Sequence, residues 1–252
     1  MLSRVRLTAV PAAAAALALF LLPAVQGQSP SQSSSGSSSQ SSSQSSIQQT
    51  SEQTSTTPYI VVNPLANVKY DNRYDVSLGM AYDHMKAGPT LLQGSNLGGL
   101  DLSGSYWLTK RLGIEGSGRG YLGTSGAGVN PYNIKGPFVS EYFFVGGPEW
   151  LGPHNKHGDL IAHALFGGVH GNFEQDLRGN PPSSVDFYNN QNAFAMIMGG
   201  HMDLNRSEHW VFRITPDAVM THYGINYAPY TKQWDVNFAI SLGLEYKFSK
   251  KR

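Results

Sequence analysis

Trp234-Asp235-Val236-Asn237-Phe238-Ala239-Ile240-Ser241-Leu242-Gly243-Leu244-Glu245-Tyr246-Lys247-Phe248 is one unbroken alternation. Trp234, Val236, Phe238, Ile240, Leu242, Leu244, Tyr246 and Phe248 are large and apolar, while the residues between them are small, polar or charged. A period of two puts these sets on opposite faces of a strand, whereas a helix would mix them. Length sharpens the reading. Ordinary strands run about 5–6 residues, but a strand tilted across a bilayer needs ~9–11. The stretch fits a membrane-crossing strand, with Val236, Phe238, Ile240, Leu242, Leu244, Tyr246 and Phe248 as its lipid face.

Working backwards, the same alternation recurs. Trp210, Phe212, Ile214, Ala218 and Met220 oppose Arg213, Thr215, Asp217 and Thr221. Val76, Leu78, Met80 and Tyr82 oppose Ser77, Gly79, Ala81 and Asp83. Leu100, Leu102, Gly104, Tyr106 and Leu108 oppose Asp101, Ser103 and Ser105, and after a turn at 109–111 Leu112 and Ile114 lead a strand bearing Glu115, Ser117 and Arg119. Further strands are expected near Phe138–Trp150, Leu160–Phe173 and Asn192–Leu204, although the Leu160–Phe173 segment is mixed on both faces. The links at 109–111, 151–159 and 205–209 are short or moderate. Those near 84–99, 123–137, 174–191 and 224–233 are longer and rich in Gly, Asn and Pro. Eight strands in this rhythm match short periplasmic turns and longer outer loops. The fold class expected is all-β, an eight-stranded antiparallel up-and-down transmembrane β-barrel. Trp107, Trp150 and Trp210 flank short turns and Trp234 flanks a long loop, as expected of aromatics at the two membrane interfaces.

Two segments precede the barrel. Arg4 and Arg6 followed by the uncharged run Val10–Val25 form an export signal, with cleavage expected before Gln28. Residues 28–57 are almost wholly Ser, Gln and Thr, too polar to bury a core, and read as a disordered tether. The domains are thus 1–27 signal peptide, 28–57 tether and 58–252 barrel.

Composition excludes several classes. Charged residues make up 14% of the 252-residue chain, against about 25% in soluble domains. A net charge of +1 leaves no footprint for nucleic acid. The chain has no Cys, which removes disulfides, thiolate metal sites and acylation on a lipoprotein Cys. Without a long apolar helix after the signal, a membrane domain has to be a closed barrel.

The chemistry-bearing residues fall on the polar phase. Glu115, Arg119, Arg213, Asp217, Glu245 and Lys247 do so clearly, and Glu141 joins them. An eight-stranded barrel is only wide enough inside for side chains, and charge there has to be paired. With both signs in comparable number, these residues are expected to form a salt-bridge network that plugs the lumen. Eight His residues are present. His154 and His157 share a Gly/Pro-rich turn, and His84, His163, His170, His201, His209 and His222 are scattered, reading as interior or interface polar residues rather than ligands. No Gly-x-Ser-x-Gly elbow occurs, and no strand sets His and Ser two apart on one face. No catalytic, cofactor or metal residues are assigned, and an enzyme is not expected.

Gly146-Gly147-Pro148-Glu149-Trp150, His163-Ala164-Leu165-Phe166-Gly167-Gly168, Gly199-Gly200-His201-Met202-Asp203-Leu204 and Leu242–Phe248 resemble segments of small bacterial outer-membrane β-barrel proteins. They are similar to the transmembrane domain of outer-membrane protein A, with a particular likeness to uncharacterised members from Acidobacteria-like genomes. The resemblance covers roughly Tyr70 to Phe248 and implies a barrel that the assembly machinery recognises through its last strand. In that family the strand usually ends the chain on an aromatic, whereas Ser249, Lys250, Lys251 and Arg252 follow Phe248 here. The function expected is a structural or surface-interaction barrel in the outer membrane, with lipid and the assembly machinery as partners. The alternatives are a narrow porin-like channel and a lipid-modifying enzyme. A soluble barrel of lipocalin type would share the alternation but turn its apolar phase inward.

Overall fold

The computed structural model describes residues 63–248, apart from 90, 92–93, 128 and 225–232. The signal peptide, the Ser/Gln tether, most of the 224–233 connection and the final Ser249–Arg252 lie outside the described residues. Eight strands close into one antiparallel up-and-down barrel: β1 (Tyr74–Met85), β2 (Ser95–Trp107), β3 (Leu112–Thr124), β4 (Phe138–Asn155), β5 (Gly158–Asn172), β6 (Gln191–Asn205), β7 (Trp210–Tyr223) and β8 (Gln233–Lys247). Each runs 12 to 18 residues, enough to cross a bilayer when tilted.

The short turns are held by local chemistry. Thr109 Oγ1 accepts from the backbone of Arg111 and Leu112, Asn155 Oδ1 from that of His157 and Gly158, and Ser207 Oγ from that of His209 and Trp210. A Thr, Asn or Ser thus satisfies the backbone donors of every tight hairpin at one end of the barrel. One expected link is shorter than its sequence suggests. Residues 151–159 read as a connection, but β4 runs on to Asn155 and β5 begins at Gly158, with an irregularity in pairing between Leu151 and His154. A bulge tolerates Pro153, which cannot donate to the ladder. His154 consequently lies in β4, and only Lys156 and His157 separate the strands.

The barrel closes where β1 meets β8, in continuous register from Asp75 opposite Lys247 to His84 opposite Phe238. At the middle of this seam Gly79 faces Gly243, and a Cβ on Gly243 would lie 2.5 Å from the Leu78 carbonyl oxygen. The two backbones approach too closely there for any side chain.

Orientation of the two phases excludes the lipocalin arrangement. Met80 on β1 is 75% exposed and Phe144 on β4 is 72% exposed, with Leu78, Leu100, Leu102, Ile114, Phe166, Phe194, Val236, Phe238, Leu242 and Leu244 also outward. Ile240 and Tyr246 of β8 are half-buried on the same phase, and Phe248, just past its end, is exposed. An uninterrupted apolar belt around a closed barrel is far larger than soluble surfaces expose, and it is the outer surface a bilayer requires. β5, ambiguous in sequence, turns Ile161, His163, Leu165 and Val169 inward. Trp150, Trp210 and Trp234 are outward and half exposed, but Trp107 is not an interface residue. It lies on the inward phase of β2 with Asp101, Ser103 and Ser105, and its indole N–H donates to Asp75 Oδ2 at 2.6 Å.

Candidate functional site

The lumen is filled along its length by two kinds of packing. Towards the long-loop end lies an apolar cluster that includes Met85, Leu97, Tyr121, Phe143, Leu165, Ile197, Val219 and Tyr223. The β5–β6 connection folds into this cluster through Phe173, Leu177, Val185, Phe187 and Tyr188. Phe173, Tyr188 and Tyr223 form an aromatic triangle with centroids 5.1 to 5.6 Å apart. The loop is tied as well as packed. Asn190 Oδ1 accepts from the backbone of Phe173 and Glu174, Glu174 Oε1 accepts from that of Asn190, and the Tyr188 backbone N–H donates to Ala87. At the short-turn end Trp107, Leu151 and Ile161 pack with Tyr70, the residue that leads towards β1. The Tyr70 hydroxyl donates to the Asn155 carbonyl at 2.7 Å and receives a bond from Asn205. Burial, then the nearby Asp159 carboxylate, push its pKa well up.

Between these ends the buried side chains are polar. Arg213 makes a two-pronged bond to Asp203, both contacts at 2.8 Å, and an ion pair with Glu245 at 2.6 Å. Lys247 pairs with Asp159 at 3.3 Å and lies 4.9 Å from the Tyr70 ring centre. Arg119 reaches Asp217 at 2.5 Å and Asp101 at 3.4 Å, and Asp101 also accepts from Ser117 and Ser241. Glu141 stands apart from these ion pairs. It sits at the apolar end and accepts from the Tyr223 hydroxyl at 2.5 Å.

Glu115 joins two imidazoles. His163 Nδ1 lies 2.7 Å from Glu115 Oε2, His201 Nε2 lies 3.0 Å from the same oxygen, and the two nitrogens are 3.2 Å apart. The other nitrogens are engaged too: His163 Nε2 with Asp217 Oδ1 at 2.9 Å, and His201 Nδ1 with Thr215 Oγ1 at 2.8 Å. β3, β5, β6 and β7 each contribute to this cluster, and Glu115, His163 and His201 are all buried. Room for it comes from an absent side chain. Gly199 lies opposite both His163 and Asp217, and a Cβ there would stand 2.0 Å from Asp217 Oδ1.

Two sequence expectations are corrected. The interior signs are not in comparable number. Asp75, Asp83, Asp101, Glu115, Glu141, Glu149, Asp159, Asp203, Asp217 and Glu245 are buried, against Arg119, Arg213 and Lys247. To the four acids expected from the alternation the inward phase adds Asp75 and Asp83 of β1, Asp101 of β2, Glu149 of β4, Asp159 of β5 and Asp203 of β6, and among the described residues it adds no further buried Arg or Lys. The plug, moreover, is not polar throughout, since its outer part is aromatic and aliphatic. Sequence reasoning also left His163 and His201 scattered. The available signal was Asp203 two residues after His201, which marks the inward phase of β6, and His163 alternating with Ile161 and Leu165 on β5.

No protein-family model matches the chain, and no curated protein matches it. Among solved structures, it is similar to Ail, the attachment invasion locus protein of Yersinia pestis, at 19% identity and a TM-score of 0.42, over 71% of this chain and 99% of that one. OprG from Pseudomonas aeruginosa matches at 11% identity and a TM-score of 0.46, over 73% and 99% of the two chains. Outer membrane protein W of E. coli matches at 12% identity and a TM-score of 0.37, over 71% and 98%.

Proposed function

We propose that this is an outer-membrane barrel with a closed lumen, whose work is done by its outer loops in contact with a partner at the cell surface. The observation that carries this reading is the stopper formed by Phe173, Leu177, Val185, Phe187 and Tyr188 of the β5–β6 connection, seated in the long-loop mouth. A loop that both closes the mouth and is held by named hydrogen bonds presents a fixed surface. Beside it the β3–β4 and β5–β6 connections border an open groove of about 350 Å³, flanked by Lys135 and Arg178. Acyl chains solvate the apolar belt, and β8 is the segment offered to the assembly machinery.

Neither rival draws comparable support. A channel would need a wet path past the aromatic stopper. A hydrolase would need access to its nucleophile, and the one line of hydroxyl, imidazole and carboxylate described above, Thr215–His201–Glu115, is sealed inside the barrel. We therefore assign no enzymatic reaction.

The experiment combines two readouts. Because the chain has no Cys, single replacements at Gln175 and Lys156, both exposed, can be labelled cleanly. A membrane-impermeant maleimide added to intact cells should label position 175 and spare 156, and the purified protein should show no stable conductance in planar bilayers. Reversed labelling or large steady conductance would overturn the proposal.

A further inference from the structure

From the convergence of His163 Nδ1, His201 Nε2 and Glu115 Oε2 inside the lumen, we infer that these residues bind a divalent transition-metal ion of the zinc class. Two imidazole nitrogens with a carboxylate oxygen are a donor set suited to zinc.

The partners behind the rings orient them for this. Asp217 already accepts from Arg119 through Oδ2, and its Oδ1 faces His163 Nε2, so the proton of the neutral ring belongs on Nε2. The lone pair then lies on Nδ1, aimed at the cluster. A carboxylate behind a ligating imidazole is the usual way such rings are fixed. Thr215 Oγ1, 2.8 Å from His201 Nδ1, can accept the proton of that nitrogen, and in this tautomer the Nε2 lone pair faces the cluster. Gly199 adds a backbone device, because only a residue without a side chain lets Asp217 reach His163.

Distance and charge agree. Zinc sits ~2.0–2.2 Å from nitrogen and oxygen ligands. An ion at that distance from each corner of the 2.7, 3.0 and 3.2 Å triangle stands roughly 1 Å out of its plane, a height that follows from the ~2.0–2.2 Å ligand distance without moving the ligands apart. Glu115 Oε1 is buried without a hydrogen-bond partner, which leaves it able to complete the coordination. Ten buried carboxyls stand against three fixed cations, so the unpaired ones are neutralised by protons, by protonated histidines or by a bound cation, because uncompensated buried charge is costly. The rival is a metal-free cluster in which the rings share protons with Glu115.

The test is to refold the full chain from urea in detergent with Zn²⁺, remove free metal by gel filtration, and count metal per folded chain. Folded protein is identified by anomalous migration without heating. Roughly one zinc ion per chain is expected, with most of it lost in His163→Gln and in His201→Gln. His170→Gln, an exposed position on β5, should keep it. Loading with Co²⁺ should give the visible absorption of a four- or five-coordinate site. Folded wild-type protein that emerges with little metal, or a His163→Gln variant that retains as much as wild type, overturns the inference. Should the His variants fail to fold, the wild-type stoichiometry and Co²⁺ spectrum decide it alone. Conductance and labelling play no part, so the surface role and the metal site stand or fall separately.

Discussion

Gly199 shows how much one missing side chain can organise. It stands between His163 and Asp217 in the pairing of three strands, and the carboxylate of Asp217 occupies the place its Cβ would take. A Cβ there would also stand 2.4 Å from the Pro216 carbonyl oxygen, so Gly199→Ala is expected to push both the Asp217 carboxylate and the β7 backbone away, at a cost of ~1–3 kcal/mol or more, the usual range for overpacking. Gly98→Ala serves as the control, since nothing lies within 4 Å of a Cβ there. Urea unfolding midpoints of the two refolded variants check the contrast, and equal midpoints would contradict it. The inward phase of Glu115 and Asp217 is visible in the alternation of β3 and β7. Their meeting with His163 is not visible, because it depends on register between strands and on which walls of the lumen face each other.

Among the elements, β8 tests the membrane reading most directly. Leu242 lies near the middle of the Trp234–Phe248 stripe and points away from the lumen, with Ser241 inward. An Arg on the lipid face costs ~2–4 kcal/mol at the bilayer midplane and ~0–1 near the interfaces. Leu242→Arg should thus strongly impair refolding into vesicles, while Trp234→Arg, at the strand's end, should be milder. A single-Cys scan of 238–246 with a fluorescent probe and a lipid-confined quencher reads the phase itself. Even positions should be quenched and odd ones spared, and a reversed or absent phase would refute the lipid face. β8 was legible because all its large residues share one phase. β4 and β5 were less so: Gly152-Pro153 carries a turn signal that a bulge absorbs, and β5 mixes His, Gly and apolar residues on both faces.

For the molecule as a whole, the strand count and the alternation of short and long links were legible in the sequence, since both follow from local periodicity and turn chemistry. The closure of the outer mouth was not, because nothing local distinguishes Phe187 or Tyr188 from exposed loop aromatics. The Ser/Gln stretch contributes no apolar period, so deleting Ser29–Thr57 should leave the folded gel species of the refolded chain unchanged. Loss of that species would give the segment a part in folding. The anchored β5–β6 connection has one more consequence. Leu177 and Val185 are buried on either side of a stretch in which Gly179, with a positive φ of 80°, is exposed. Foreign sequence spliced in after Gly179 would stand on two fixed feet outside the stopper, which makes this connection a display cassette whose cargo can change while the barrel beneath keeps its shape.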